Sequence, residues 1–227
     1  MNRLKALVAV ALAVALAGPG VSAGAAPKLE LYTLTNSGGA MFTLTGPHHN
    51  LADEGFNDVT RSICGVGVWF LYEDKDYTKH SKFVHTFASA TYACENLDSS
   101  QWDKVSSVRY AGVEDITFPT LTMYHDANQC GAELLVLRDM DALLSDFNDD
   151  ASSFVVTGNS SWTVYHDIGF GGGKACLGPS SNGGWYGIWT PEEIGMPNDQ
   201  VSSVRKGCFA DKVFTYDPSS ARGQEGR

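Results

Sequence analysis

Two six-residue phrases gather oxygen ligands: Asn148-Asp149-Asp150-Ala151-Ser152-Ser153 and Asn198-Asp199-Gln200-Val201-Ser202-Ser203. Each packs carboxylate, amide and hydroxyl groups immediately ahead of an apolar, strand-like run. A hard cation such as Ca2+ takes about six to eight oxygens, and a loop between strands can present side-chain and backbone oxygens together. Ser152 and Ser202 suit such a site as neutral donors that keep its charge and affinity moderate. The sixth-position serines, Ser153 and Ser203, read as structural groups bonding the local backbone. An isolated Asp/Asn-Ser-Ser phrase is also what an ordinary turn looks like. Two intact copies a fixed distance apart carry the metal reading.

Catalytic phrases are missing. After residue 26 the chain contains no G-x-S-x-G, H-E-x-x-H or P-loop pattern, and scattered Ser, His and Asp residues make no triad without geometry. The chain therefore reads as a non-enzyme.

The elements that must position these phrases follow from a repeat. Closing phrases of the same kind occur at Asn57-Asp58-Val59-Thr60-Arg61-Ser62 and Trp102-Asp103-Lys104-Val105-Ser106-Ser107. The four final serines lie 45, 46 and 50 residues apart. Each closing phrase is matched by an opening tyrosine and turn. The clearest openings are Tyr72 to Tyr77 and Tyr165 to Gly172, followed by Tyr124 to Gly131, with Tyr32 to Gly39 the weakest. Tyrosine to serine spans 30, 35, 29 and 38 residues, so short and long units alternate as if paired. Several short strands per unit predict Greek keys, two to a sandwich. A trefoil needs three units, and a propeller needs more blades than these.

The Tyr-x-x-x-x-Phe-x-Gly and Asn/Asp-Asn/Asp-x-x-Ser/Thr-Ser phrases, four times in order from Leu29 to Cys208, closely resemble the βγ-crystallin family. The resemblance implies an all-β chain of two βγ-crystallin-like domains, each a sandwich of two Greek-key motifs. It places domain 1 at 27–112 and domain 2 at 113–210. It further implies two calcium clamps in domain 2, each shared between keys. One clamp would use Asp149, the Gln200 carbonyl, Ser202 and a carbonyl near Ala127. The other would use Asp199, the Asp150 carbonyl, Ser152 and a carbonyl near Ile168. In domain 1, Arg61 stands where a hydroxyl is expected, which kills the clamp built on Val59 and Arg61. The partner set Asp58, Lys104 and Ser106 is retained, although Trp102 replaces the usual Asn or Asp.

Composition sets the compartment and the partners. Arg3 and Lys5, the apolar run Leu7 to Leu16 and the small residues Val21-Ser22-Ala23 make residues 1–26 an export signal too short to span a bilayer. Its loss removes two cations from a chain whose formal charge is already −10, which argues against nucleic acid and favours Ca2+. No membrane partner is expected, and the localisation read is secreted. Five cysteines predict disulfides with one thiol left over. Cys64 with Cys94 is the natural first pair, and a second falls among Cys130, Cys176 and Cys208. Residues 211–227 read as a polar tail whose last ten residues lack order.

His48-His49 reads as a solvated loop, and His125 and His166 as surface groups beside the clamps. Trp185, Tyr186 and Trp189 read as core. The function expected is a secreted, calcium-stabilised structural or stress protein. A secreted protease inhibitor or killer-toxin-like protein of the same fold, acting on an extracellular protein partner, is the alternative. A carbohydrate-binding module using Trp185 and Trp189 is a third reading.

Overall fold

In the computed structural model, the chain is described over residues 26–78, 80, 82–180 and 184–218. The expected export signal, Ala26 apart, and the end of the expected tail lie outside these residues. Thirteen strands are formed among them. The first five are β1 (Lys28–Leu34), β2 (Gly38–Leu44), β3 (Ser62–Tyr72), β4 (Val84–Asn96) and β5 (Ser107–Tyr110). Next come β6 (Thr120–Asp126), β7 (Cys130–Val136), β8 (Ser153–Thr157) and β9 (Trp162–Asp167). The chain continues through β10 (Gly171–Gly178), β11 (Tyr186–Trp189), β12 (Ser203–Lys206) and β13 (Val213–Thr215).

In domain 2 the first key is a β6–β7 hairpin with β8 added to β6, and the second a β9–β10 hairpin with β12 added to β9. Each key also lends a segment to the other's sheet. β11 of the second key pairs with β8, and Met140 of the first bridges Val204 on β12. Domain 1 repeats the plan with longer strands. Ser62 to Val66 of β3 close the first key on β1, while Gly67 to Tyr72 open the second against β4 and β5. The exchange there is made by Cys94 and Asn96 of β4 pairing with Cys64 and Ser62, and by His48 bridging Val108. Each key's pairing is thus extended by a strand or a single bridge from the other key.

Apolar residues inside each sandwich explain the alternation in the strands. Trp69, Leu29, Leu31, Ile63 and Val108 fill domain 1, and Trp162, Phe154, Leu121, Val164 and Leu177 fill domain 2. Burying side chains of this size contributes about 1.5–3 kcal/mol each. A third cluster joins the domains, with Val68, Phe70 and Tyr72 packed on Tyr124, Cys130 and Val155. Of the aromatic trio, Trp189 is buried, while Trp185 and Tyr186 are half-buried against the interdomain cluster.

Disulfides join Cys64 to Cys94 and Cys176 to Cys208, leaving Cys130 as a buried thiol. The expected polar tail is corrected at its start. Val213–Thr215 form a parallel edge strand on Cys176 to Gly178, and Phe214 and Tyr216 meet Trp189 edge to face. The neighbouring Cys176–Cys208 bridge keeps this segment near β10. Val213-Phe214-Thr215 also alternate, which a polar reading of the surrounding sequence hides.

Candidate metal centre

The four opening turns share one backbone solution. Two consecutive residues take positive φ: Asn36 and Ser37, Asp76 and Tyr77, Asn128 and Gln129, Gly169 and Phe170. In three of the turns a glycine with positive φ follows two places on, at Gly39, Gly131 and Gly172. Added Cβ atoms at Gly131 and Gly172 would lie 2.5 and 2.6 Å from the carboxylates of Asp126 and Asp167, so these corners need glycine for space as well as for φ.

The sixth-position serine of each closing phrase locks its own key's turn. Ser62, Ser107, Ser153 and Ser203 donate through Oγ to the carbonyls of Leu34, Asp74, Asp126 and Asp167 at 2.6–2.8 Å. Their Oγ atoms accept from the amides of Ser37, Tyr77, Gln129 and Phe170. These serines are structural, as the sequence predicted, and all four positions act alike.

The second position of each phrase is aspartate in the left-handed region: Asp58, Asp103, Asp149 and Asp199 have φ of 53–57°. Asp tolerates this conformation better than most residues. Its amide reaches across to the partner key, where Asp58, Asp103 and Asp149 N–H groups donate to the carbonyls of Val105, Thr60 and Val201, each at 3.1 Å. The two phrases of a domain therefore face each other around a local two-fold arrangement. Each carboxylate is carried to the fifth position of the opposite phrase.

That juxtaposition forms the clamps. Ser202 Oγ donates to Asp149 Oδ1 at 2.8 Å, and Ser152 Oγ donates to Asp199 Oδ1 at 2.9 Å. A surface groove is lined by Asp149, Asp167, Ile168, Asp199, Gln200 and Ser202. The Asp149–Ser202 pair thus sits with Gln200 and the Ile168 turn. On the other side, the Ser152 amide donates to Tyr124 O at 2.9 Å, setting Ser152 beside the turn that carries Ala127. Asp150 there is paired through Oδ2 with His125 Nε2 at 2.6 Å.

The two turns are therefore exchanged relative to the expectation. Ile168 accompanies Asp149, Gln200 and Ser202, and Ala127 accompanies Asp199, Asp150 and Ser152. The cause is strand pairing: Ser203 stands opposite Tyr165, and Ser153 opposite Tyr124, so each fifth-position serine lies against its own key's opening turn. Sequence reasoning also missed the His125–Asp150 contact and the lining role of Asp167. His125 and Asp167 lie one and two places after an opening tyrosine, and that proximity was the available signal.

In domain 1 one clamp is filled by a side chain. Arg61 Nε lies 3.0 and 3.1 Å from the two Asp103 oxygens, and its terminal nitrogen 2.6 Å from Oδ2. The guanidinium also lies 5.5 Å from the Trp102 ring centre. The other clamp keeps its geometry, with Ser106 Oγ donating to Asp58 Oδ1 at 3.1 Å.

All side-chain donors in the domain 2 clamps are oxygens, and each carboxylate is held by a neutral hydroxyl. This set fits a hard cation. Among the described residues no three His, Cys, Asp or Glu side chains converge as a metal group. What each facing pair brings together is one second-position carboxylate and one hydroxyl.

Turns, serine locks and facing phrases define the chain as a two-domain βγ-crystallin fold. Residues 28–111 match the family model Beta/Gamma crystallin, and residues 121–177 match Peptidase inhibitor family I36. The chain thus has the βγ-crystallin fold, and residues 28–111 match that family's model. A curated relative, the epidermal differentiation-specific protein of Cynops pyrrhogaster, is 26% identical over 132 residues, covering 55% of this chain and 35% of the relative. The chain thus spans about a third of that relative's length. Among solved structures, geodin, a βγ-crystallin from Geodia cydonium, is 19% identical with a TM-score of 0.60, covering 80% of this chain and 99% of geodin. That likeness shows the fold. A βγ-crystallin from an archaeon is 27% identical with a TM-score of 0.34, covering 39% of this chain and 96% of its own.

Proposed function

We propose that this chain is an exported, non-catalytic protein stabilised by calcium at two clamps in domain 2. The carrying observation is the reciprocal pairing of Asp149 with Ser202 and Asp199 with Ser152 across facing phrases. Asp149, Ser202 and the carbonyls near Gln200 and Ile168 would hold one ion. Asp199, Ser152 and the carbonyls near Asp150 and Ala127 would hold the other. A bound ion supplies a positive centre that cross-links the two keys, and the carboxylates and hydroxyls need only keep their places around it. Binding to the folded state alone stabilises it by about 2.7 kcal/mol when calcium is a hundredfold above Kd. Export is supported by the N-terminal apolar run and by the two disulfides. Thermal unfolding in millimolar calcium and in a chelator tests the reading. It predicts a rise in Tm with calcium, and identical melting curves would contradict it.

A second reading is favoured by the match of residues 121–177 to a peptidase-inhibitor family. In that reading domain 2 blocks an extracellular peptidase by presenting a surface loop, with the sandwich as rigid support. Titrating the chain against secreted metallo-, serine and cysteine peptidases tests it, and stoichiometric loss of one activity would establish it. Both matched families are consistent with a protein that performs no chemistry itself.

A further inference from the structure

Arg109 on β5 is charged yet only 2% exposed. Its guanidinium leaves domain 1 and enters domain 2. One terminal nitrogen donates to Gly131 O at 2.9 Å, the other to Gln129 O, and Nε donates to Tyr72 Oη at 2.9 Å. Tyr72 in turn donates to the same Gln129 carbonyl at 2.5 Å. The rings of Tyr72, Tyr77 and Tyr124 surround the cation with centroids at 5.4, 4.7 and 4.5 Å, and Glu133 Oε2 lies 3.7 Å away. Burying a guanidinium is costly unless its donors are used. Here they are spent on the backbone of residues 129–131.

That backbone is the β6–β7 turn, two residues beyond Ala127. The Gln129 carbonyl accepts from domain 1, and the Gln129 amide donates to Ser153 Oγ, adjacent to Ser152 of the clamp. Hydrogen bonds therefore run from Arg109 through Gln129 to Ser153, whose chain neighbour Ser152 makes the Asp199–Ser152 pair. The other clamp's turn is tied inside domain 2, where the Gly169 amide donates to Asp141 O at 2.6 Å. The domain interface bears on one clamp and not on the other.

We propose that Arg109 is a positioning residue for the cation site at the β6–β7 turn, so that docking of domain 1 preorganises the Asp199–Ser152 clamp. By linkage, cation binding at that clamp strengthens domain docking to the same degree. This rests on the calcium reading above, and the two are tested separately.

The test is a calorimetric calcium titration of the full chain in two backgrounds. Ser202→Arg leaves the β6–β7 site as the domain 2 site under study, and Ser152→Arg leaves the β9–β10 site. Adding Arg109→Met weakens calcium binding about tenfold in the first background and leaves the second unchanged. Arg109→Lys, which keeps the charge but cannot fork between two carbonyls, recovers part of the loss. Tyr72→Phe removes one link while Arg109 stays and shifts affinity the same way by less, so it decides the matter if Arg109→Met fails to fold. Equal weakening at both sites, or none at either, overturns the proposal. A parent chain that takes up no calcium overturns the calcium reading and the coupling with it. Hydrogen exchange of metal-free protein then decides whether Arg109 holds the turn: the Gln129 and Cys130 amides exchange faster in Arg109→Met, and unchanged rates refute even that.

Discussion

Arg61 stands to Asp103 in domain 1 as Ser152 stands to Asp199 in domain 2. Both residues occupy the fifth position of a first phrase and contact the second-position aspartate of the facing phrase. Where domain 2 offers a hydroxyl, domain 1 inserts a tethered cation. The Arg61 guanidinium holds the Asp103 carboxyl below the usual carboxylate range. An ion at this place would have to displace the side chain, so the duplication has left an oxygen-lined pair in one domain and an internally neutralised one in the other.

The gain-of-function prediction follows directly. Arg61→Ser restores the oxygen set around Asp103 and adds one calcium to the stoichiometry of the chain. The lost contact is more than one-third exposed on each side, so its removal costs metal-free stability little. An unchanged stoichiometry in a calorimetric titration would show that Trp102 or the β1–β2 turn blocks the site.

Acid stability has a named contributor in domain 1. Glu30 is 7% exposed. It accepts from Lys28 Nζ at 2.6 Å, from Tyr32 Oη at 2.8 Å and from Tyr92 Oη. Led by Lys28 and Tyr92, these donors pull its carboxyl down to about 2 against the cost of burial. A depressed acid stabilises the fold above its unfolded pKa and loses that contribution as pH falls through the folded value. The window is therefore from about pH 4.5 down to about 2. Denaturant midpoints measured across it should fall less steeply in Glu30→Gln than in the parent.

The Cys130 thiol lies in the interdomain cluster, where burial pushes it up to about 11 despite the opposing effect of Arg109. Native protein at pH 8 then holds roughly a hundredfold less thiolate at this position than an exposed cysteine. Labelling with an aromatic disulfide reagent should be slow in the native state and fast in denaturant. Rapid labelling of the native chain would mean that the domains separate readily.

Gly158 ends β8 at a φ of +74°, and an added Cβ would fall 2.6–2.7 Å from the backbone of Phe118 and Pro119. Backbone cannot step aside as a flexible side chain can. Gly158→Ala should destabilise the fold by about 2 kcal/mol or more, read as a lower midpoint in chemical denaturation. An unaltered midpoint would mean that the 113–119 connection shifts freely.

Features set by local sequence were legible, and those set by pairing across the fold were not. The four tyrosine-led turns and four serine phrases announce Greek keys because each requires a residue type at one spot: a left-handed corner, a hydroxyl bridging a turn. The phrases that bring Asp149 to Ser202 and Asp199 to Ser152 were visible for the same reason. Their turn partners were assigned crosswise, because proximity there depends on β12 pairing with β9 and β8 with β6. Nothing in the sequence around Arg109 singles it out. Its role appears only when Gln129 and Gly131 arrive from the other domain. Val213–Thr215 is too short a run to declare itself a strand, and it finds its place on β10 beside the Cys176–Cys208 bridge.

The central claim is that domain 2 binds two calcium ions, each through its own fifth-position serine. It is tested most directly by calorimetric titration of the parent, Ser152→Arg and Ser202→Arg. The account predicts that each variant loses one domain 2 site and retains the other, as Arg61 has already removed one in domain 1. A parent that binds no calcium at millimolar concentration, or variants that keep the full stoichiometry, would contradict it.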